Sequence, residues 1–263
     1  MANPVFAKSD TFNGRAASQP SFQQQFPPPG YQQPYQQAPM GGVMTLDDVI
    51  AKTALTLLVV FVTAAATSKF MPPALMYPAL IGSALVGFIT VMVVASRRKV
   101  PVGGVLLYAA IEGVFVGGFS AIMDARYPGI VASAVLATFI AAGATLAAYK
   151  FLNIRVSPKF RKFVTIATLS LAGVFLVNLV VSLFGVNLGI VEVGGGAGWL
   201  SIVISILAVG LAVSSLIMDF DFIERGIAAQ APAQESWRAA FGITVTMVWL
   251  YVEILRILSY FRN

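Results

Sequence analysis

From residue 43 to the end, the chain is written in long apolar stretches separated by short polar ones. A helix needs about 20 apolar residues to cross a bilayer. Seven stretches meet that length, running approximately from Val49 to Ser68, Ala74 to Ala95, Val102 to Ile122, Gly129 to Tyr149, Phe163 to Phe184, Trp199 to Met218 and Phe241 to Phe261. Breakers stand between them: Met71-Pro72-Pro73, Pro101, Pro128, Pro158 and the glycine run at 194 to 198. The pattern predicts an all-α integral membrane protein of seven transmembrane helices over residues 43–263.

Residues 1–42 are different in kind, with Gln and Pro clustered in QPSFQQQFPPPGYQQPYQQAP and few aliphatic side chains. Such a segment cannot bury enough apolar surface to offset the entropy of ordering it, so a disordered cytosolic tail is expected. It holds no apolar stretch of the signal-peptide kind, which leaves membrane targeting to the first span. Composition agrees with the pattern: 58% of residues are hydrophobic and 11% charged, against about 45–50% and about 25% in soluble domains. Cysteine and histidine are both absent. Thiolate chemistry and a Ser–His site are thereby excluded, and any proton-linked event must use carboxylates, Lys or Tyr.

The net charge of +6 reads as an orientation signal rather than as a nucleic-acid surface. Lys and Arg concentrate in cytosolic loops. Arg97, Arg98 and Lys99 lie between spans two and three, and Lys150, Arg155, Lys159, Arg161 and Lys162 between spans four and five. The alternate loops hold Lys69, then Asp124 with Arg126, then Glu192. The expected arrangement has the N-terminus cytosolic and the 185–198 loop outside, in a bacterial plasma membrane.

Five ionisable residues remain at membrane depth: Lys52, Glu112, Asp219, Glu253 and Arg256. Lys52 is near the start of span one, where its stem can carry the ammonium to the interface. Glu112 sits mid-span in YAAIEGVFVGG, where Gly113 and Gly117 make a small-xxx-small face for close helix packing. A carboxyl at that depth is expected to face the bundle interior, near span seven and Arg256. Glu253 and Arg256 stand one turn apart in the last span, either as an ion pair that eases insertion or as a functional pair. Asp219 and Asp221 fall where span six is expected to end. A carboxylate at a helix C-terminus opposes the dipole, so Asp219 should need a compensating partner, while Asp221 and Glu224 suit a solvated helix end.

YAAIEGVFVGG in span three, AVLATFIAAGATL at 134–146, LIMDFDFI at 216–223 and WLYVEILRIL at 249–258 together resemble the Bax-inhibitor (transmembrane Bax inhibitor motif) family. The resemblance covers residues 46–262. It implies six helices, as two three-helix halves, around a central seventh, and a pH-sensitive calcium leak governed by a proton-sharing acid pair on spans six and seven. Those acids match Asp219 and Glu253. Two carboxyls held close share one proton rather than both ionising, which provides a sensor without histidine. The chain departs from the family pattern at Glu253, usually Asp, and at Arg256, usually uncharged. The 222–238 loop also looks longer than the family's.

The implied function is a cation leak channel or exchanger, with calcium as the ion. Asp219, Glu253 and Arg256 would gate it, and Glu112 is a candidate for the ion path. Asp219 and Glu253 would ligate the ion transiently, and no resident cofactor is expected. The alternative is a non-conducting membrane regulator that binds a protease or stress-response partner through its tail and loops. An intramembrane aspartyl protease fits poorly because the acids lack YD and GxGD contexts, so no enzyme activity is expected. Oligomeric state is not legible.

Overall fold

A computed structural model describes residues 42–186 and 188–262; the expected tail over 1–42 falls almost entirely outside them. Seven helices follow in order: α1 (Leu46–Phe70), α2 (Pro73–Ser96), α3 (Val102–Arg126), α4 (Ile130–Phe151), α5 (Pro158–Leu183), α6 (Trp199–Ala228) and α7 (Glu235–Tyr260). All seven are long and apolar enough to span a membrane. Their starts follow local chemistry. The Thr45 hydroxyl caps α1 by accepting from the Asp48 amide at 3.2 Å, with Asp47 and Asp48 in the positive first turn. Ser157 caps α5 in the same way, and prolines open α2 and α5 where a missing N–H costs nothing.

Two turns depend on glycine. Gly129 adopts φ +79° between α3 and α4, and its amide is held by Asp124 at 2.9 Å. Gly194, at φ +90°, donates its amide to Ser259 at 3.0 Å, and any β-carbon there would run into the Tyr127 hydroxyl.

α7 is the core. In its most apolar stretch 72% of residues are buried, against 11–39% in the other six helices. It packs against α1, α3, α4 and α6, whereas α2 packs its backbone on α3 alone and α5 on α6 alone. The backbones of four helices thus approach the seventh closely, while those of α2 and α5 stand further from it. Leu58, Val62, Leu136, Ile140, Val177 and Ile206 are all more than half exposed, as side chains facing lipid should be.

The small-xxx-small face of α3 is used as the sequence suggests. A β-carbon on Gly113 would stand 2.7 Å from the Val60 carbonyl oxygen, and one on Gly117 would stand 2.8 Å from Ala64 Cα. α1 and α3 thus approach backbone to backbone.

Two helix ends run furthest beyond the apolar pattern. α6 continues ten residues past Met218, to Ala228, and α7 begins six residues before Phe241, at Glu235. The segment expected as a long 222–238 loop is mostly helix, and only residues 229–234 lie between α6 and α7. Polar residues in these helix ends stop a hydropathy count without stopping the helix, because they are paired. Asp221 binds Arg161 and Arg225 at 2.7 Å each, Tyr149 donates to Glu224, and Arg238 bonds Glu235 at 2.9 Å.

Candidate functional site: polar positions along the core helix

Each neighbour that packs on α7, except α4, sends it a polar side chain. Thr56 of α1 meets Thr244 at 2.7 Å, Ser120 of α3 meets the Tyr251 hydroxyl at 2.7 Å, and Thr246 donates to Asp219 of α6 at 2.7 Å. In a bilayer these partners replace water that is not available.

Asp219 does not sit at a helix end. Nine residues of α6 follow it, about 13 Å of rise, and the residue is 1% exposed. The dipole argument for its importance therefore falls, and burial takes its place: a carboxyl at this depth must be held by donors, and the Thr246 hydroxyl is one of them.

Glu253 is equally buried, at 1% exposed, and bonds Arg256 Nη1 at 3.1 Å one turn along its own helix. Its other polar neighbours are Ser205 of α6 and Trp249. Thr246, which marks the level of Asp219, is seven residues before Glu253, two turns or about 10 Å along α7. The structure thus separates the two acids that the resemblance pairs: Asp219 is bonded to a threonine and Glu253 to an arginine. The reason is register. α6 and α7 run antiparallel through a short turn, which brings Asp219 opposite Thr246 and, 14 residues away on each helix, Ser205 opposite Tyr260.

Arg256 is 5% exposed, and its guanidinium lies 5.5 Å from the centroid of the Phe175 ring of α5. Its Nε has no hydrogen-bond partner. Further toward the same end, Ser205 meets the Tyr260 hydroxyl at 2.9 Å, and Ser201 accepts the Glu192 amide at 2.9 Å and donates to the Ile190 carbonyl at 3.1 Å.

Glu112 is elsewhere. It lies against α2, where a β-carbon on Gly87 would be 2.9 Å from its carboxylate oxygen, and its polar neighbour is Tyr108 one turn earlier. It is not beside Arg256, which faces Phe175 and Glu253. Gly113 and Gly117 occupy the face of α3 that meets α1, which turns Glu112, adjacent in sequence, toward α2. Its link to the core is indirect: Tyr108 packs edge-on against Phe241 of α7, with ring centroids 5.1 Å apart.

The end of the bundle where α1 begins carries a second polar layer. Asp221, expected to be a solvated helix end, is buried between Arg161 of α5 and Arg225. Arg238, 0% exposed, reaches across to the carbonyls of Arg97 and Arg98 in the α2–α3 turn. Lys52 does not snorkel freely. It donates to the Ala233 carbonyl at 3.3 Å, pairs with Asp48 at 3.6 Å and stands over the Trp237 ring. Beside it the chain preceding α1 is bonded to the α6–α7 turn: the Met44 amide donates to Ala231 at 2.7 Å and the Ala233 amide to Gly42 at 3.1 Å.

Sequence reasoning missed Thr246 and Arg238. Thr246 could have been found from its spacing, since it and Glu253 stand at i and i+7 on one face of α7. Arg238 gave no signal, because it precedes the apolar stretch and looks like a loop cation. Among the described residues, no three of Asp, Glu, His and Cys come together as a metal cage.

A family model described as Bax inhibitor 1 like matches residues 3–263. A comparison with curated proteins returned no match.

Proposed function

Because the chain belongs to the Bax inhibitor 1 like family, we propose that it is a pH-sensitive cation leak pathway or exchanger, with calcium as the ion, whose route follows α7. The observation that carries this reading is the pair of carboxyls buried at two depths along that helix, Asp219 against Thr246 and Glu253 against Arg256. Intramembrane acids that face the bundle interior mark ion or proton pathways.

A hard cation exchanges its hydration shell for several oxygens. The Asp219 carboxylate with the Thr246 hydroxyl would supply a first set. Glu253 with the hydroxyls of Ser205 and Tyr260 would supply a second, nearer the end where α7 finishes. Incomplete ligation at each position suits passage, since an ion must leave as readily as it enters. Protonation acts on each acid separately in this arrangement: it removes the charge that attracts the cation and, at Glu253, the partner that holds Arg256. The basic loops at residues 97–99 and 150–162 place the N-terminus on the cytosolic side in this reading.

The test is calcium flux into liposomes holding purified protein, measured across a pH series for wild type, Asp219→Asn and Glu253→Gln. Each variant should change the flux, and at least one should flatten its pH dependence. Absence of flux in wild type, or three superimposable pH profiles, sinks the reading. The second reading, a non-conducting regulator, is favoured by the backbone pairing of residues 42–44 with 231–233. That pairing would present tail and α6–α7 turn to a protease or stress-response partner as one surface.

A further inference from the structure

A crevice of about 270 Å³ opens between α1 and α4, two helices whose backbones do not approach one another. Val60 and Ala65 of α1 and Val135 of α4 form its walls, Val116 of α3 its side, and Met247, Val248 and Tyr251 of α7 its floor. Three observations decide what fills it.

The first is polarity. The hydroxyls that line the crevice are already bonded within the protein: Ser120 to Tyr251 at 2.7 Å, Thr138 to the Ala134 carbonyl at 2.7 Å and Ser68 to the Ala65 carbonyl at 3.1 Å. Water needs two to four polar partners to occupy a cavity, and apolar cavities stay dry or take apolar guests. The second is length. Phe61 and Phe139 stack across the gap near mid-membrane, with centroids 6.3 Å apart, and the crevice runs along α1 between Leu57 and Ser68. Eleven residues of helix rise about 16 Å, close to half of the roughly 30 Å hydrocarbon core. The crevice is one leaflet deep.

The third is charge at its mouth. Lys69 follows Ser68 at the end of α1, Arg126 ends α3, and Arg262 donates to the Pro128 carbonyl in the α3–α4 turn at 3.4 Å. The acid of that turn, Asp124, is engaged by the Gly129 amide. Three cations thus stand at the end of the bundle toward which this hydrocarbon-walled slot runs.

We propose that this crevice is a lipid site that seats one acyl chain of an anionic phospholipid from the leaflet where α1 ends, with its phosphate against Lys69, Arg126 and Arg262. The chain enters between α1 and α4 and lies on α7. It therefore touches Met247, Val248 and Tyr251 of the core helix, which lipid outside the bundle cannot reach, because each is no more than 7% exposed.

That shielding supplies the readout. Full-length protein is reconstituted in phosphatidylcholine vesicles with a minor fraction of phosphatidylglycerol carrying a photoreactive diazirine in its acyl chain, and cross-linked peptides are mapped. Label is expected on Met247, Val248 and Tyr251 as well as on the lipid-facing Val62 and Leu136. Ala65→Trp fills the slot and should lower the α7 label on the order of tenfold, while leaving Val62 and Leu136 labelled. If Ala65→Trp does not elute as folded protein, Val135→Trp fills the slot from the opposite wall and must do the same. Lys69→Gln with Arg126→Gln should reduce α7 labelling by phosphatidylglycerol to the level given by an equivalent phosphatidylcholine probe. An unlabelled α7 in wild type, label unchanged by both tryptophans, or a chain-to-chain cross-link through the slot in place of lipid overturns the site. Equal labelling by the two headgroups in wild type overturns its preference for anionic lipid.

Discussion

Gly113→Ala tests the backbone contact on which the α1–α3 half of the bundle rests. The new methyl group would lie 2.7 Å from the Val60 carbonyl oxygen and 2.8 Å from Thr63 Cβ, and would overlap the Thr63 hydroxyl. Carbon atoms settle at about 3.5–4.0 Å, so α1 must retreat by roughly 1 Å. None of the opposing atoms is the end of a flexible side chain. Thr63 is held by its own bonds to Val59 at 2.7 Å and Val60 at 3.1 Å. Pivoting does not help either, because Gly117, one turn on, meets Ala64 and Thr67 just as closely. Overpacking of this kind costs about 1–3 kcal/mol. At the middle of that range a chain of this size loses about 4–8 °C in Tm. Gly143→Ala on α4 is the control: nothing stands within 4 Å of its β-carbon, and helix propensity favours Ala by up to about 1 kcal/mol. Thermal melts in detergent, followed by tryptophan fluorescence, should show the first variant falling and the second level or rising. If both glycines move Tm by the same amount, the close approach of α1 to α3 is not as described.

Thr246→Val keeps the shape of the side chain and removes one donor from a carboxyl that is 1% exposed; a loss of about 1–3 kcal/mol is expected in the same melts. Asp221→Asn breaks the link from α6 to Arg161 of α5. Its cost should fall between the ~1 kcal/mol of an exposed pair and the ~3 kcal/mol of a buried one, with protease nicking of the 152–157 turn rising as α5 loosens. A reporter fused after Phe184 should lie outside the cell and one placed within 150–162 inside, since the basic residues cluster in the latter loop; the same side for both would remove the seven-span topology.

The spans were legible in sequence because each must show lipid an unbroken apolar surface of fixed length, and that demand is local. Val102 and Trp199 start their helices where the apolar pattern starts. The ends of α6 and α7 were not legible. Asp221, Glu224 and Arg238 look like solvated loop residues until Arg161, Tyr149 and the α2–α3 turn, distant in sequence, are seen to pair with them. The face chosen by Gly113 and Gly117 could be read, but not the partner helix. The site was legible in its residues and not in its pairing. Asp219 and Glu253 stood out as acids in apolar stretches, whereas the register of α6 on α7, which sets Thr246 against Asp219 and Tyr260 against Ser205, depends on a turn of six residues where the sequence suggests a long loop.

The helix at the core also follows, in chain order, the six that it joins. Until α7 leaves the ribosome, Thr56, Ser120 and Asp219 lack the partners that Thr244, Tyr251 and Thr246 later give them, and the glycine-seamed α1–α3 pair has nothing to close upon. Without α7 the first six helices lack the element on which α1, α3, α4 and α6 all pack. A chain stopped before Glu235 would take the Thr246 hydroxyl from Asp219 and the Tyr251 hydroxyl from Ser120, at a depth where water does not replace them. Closing the core of this fold therefore waits on one element, α7, rather than on a gradual accretion of helices.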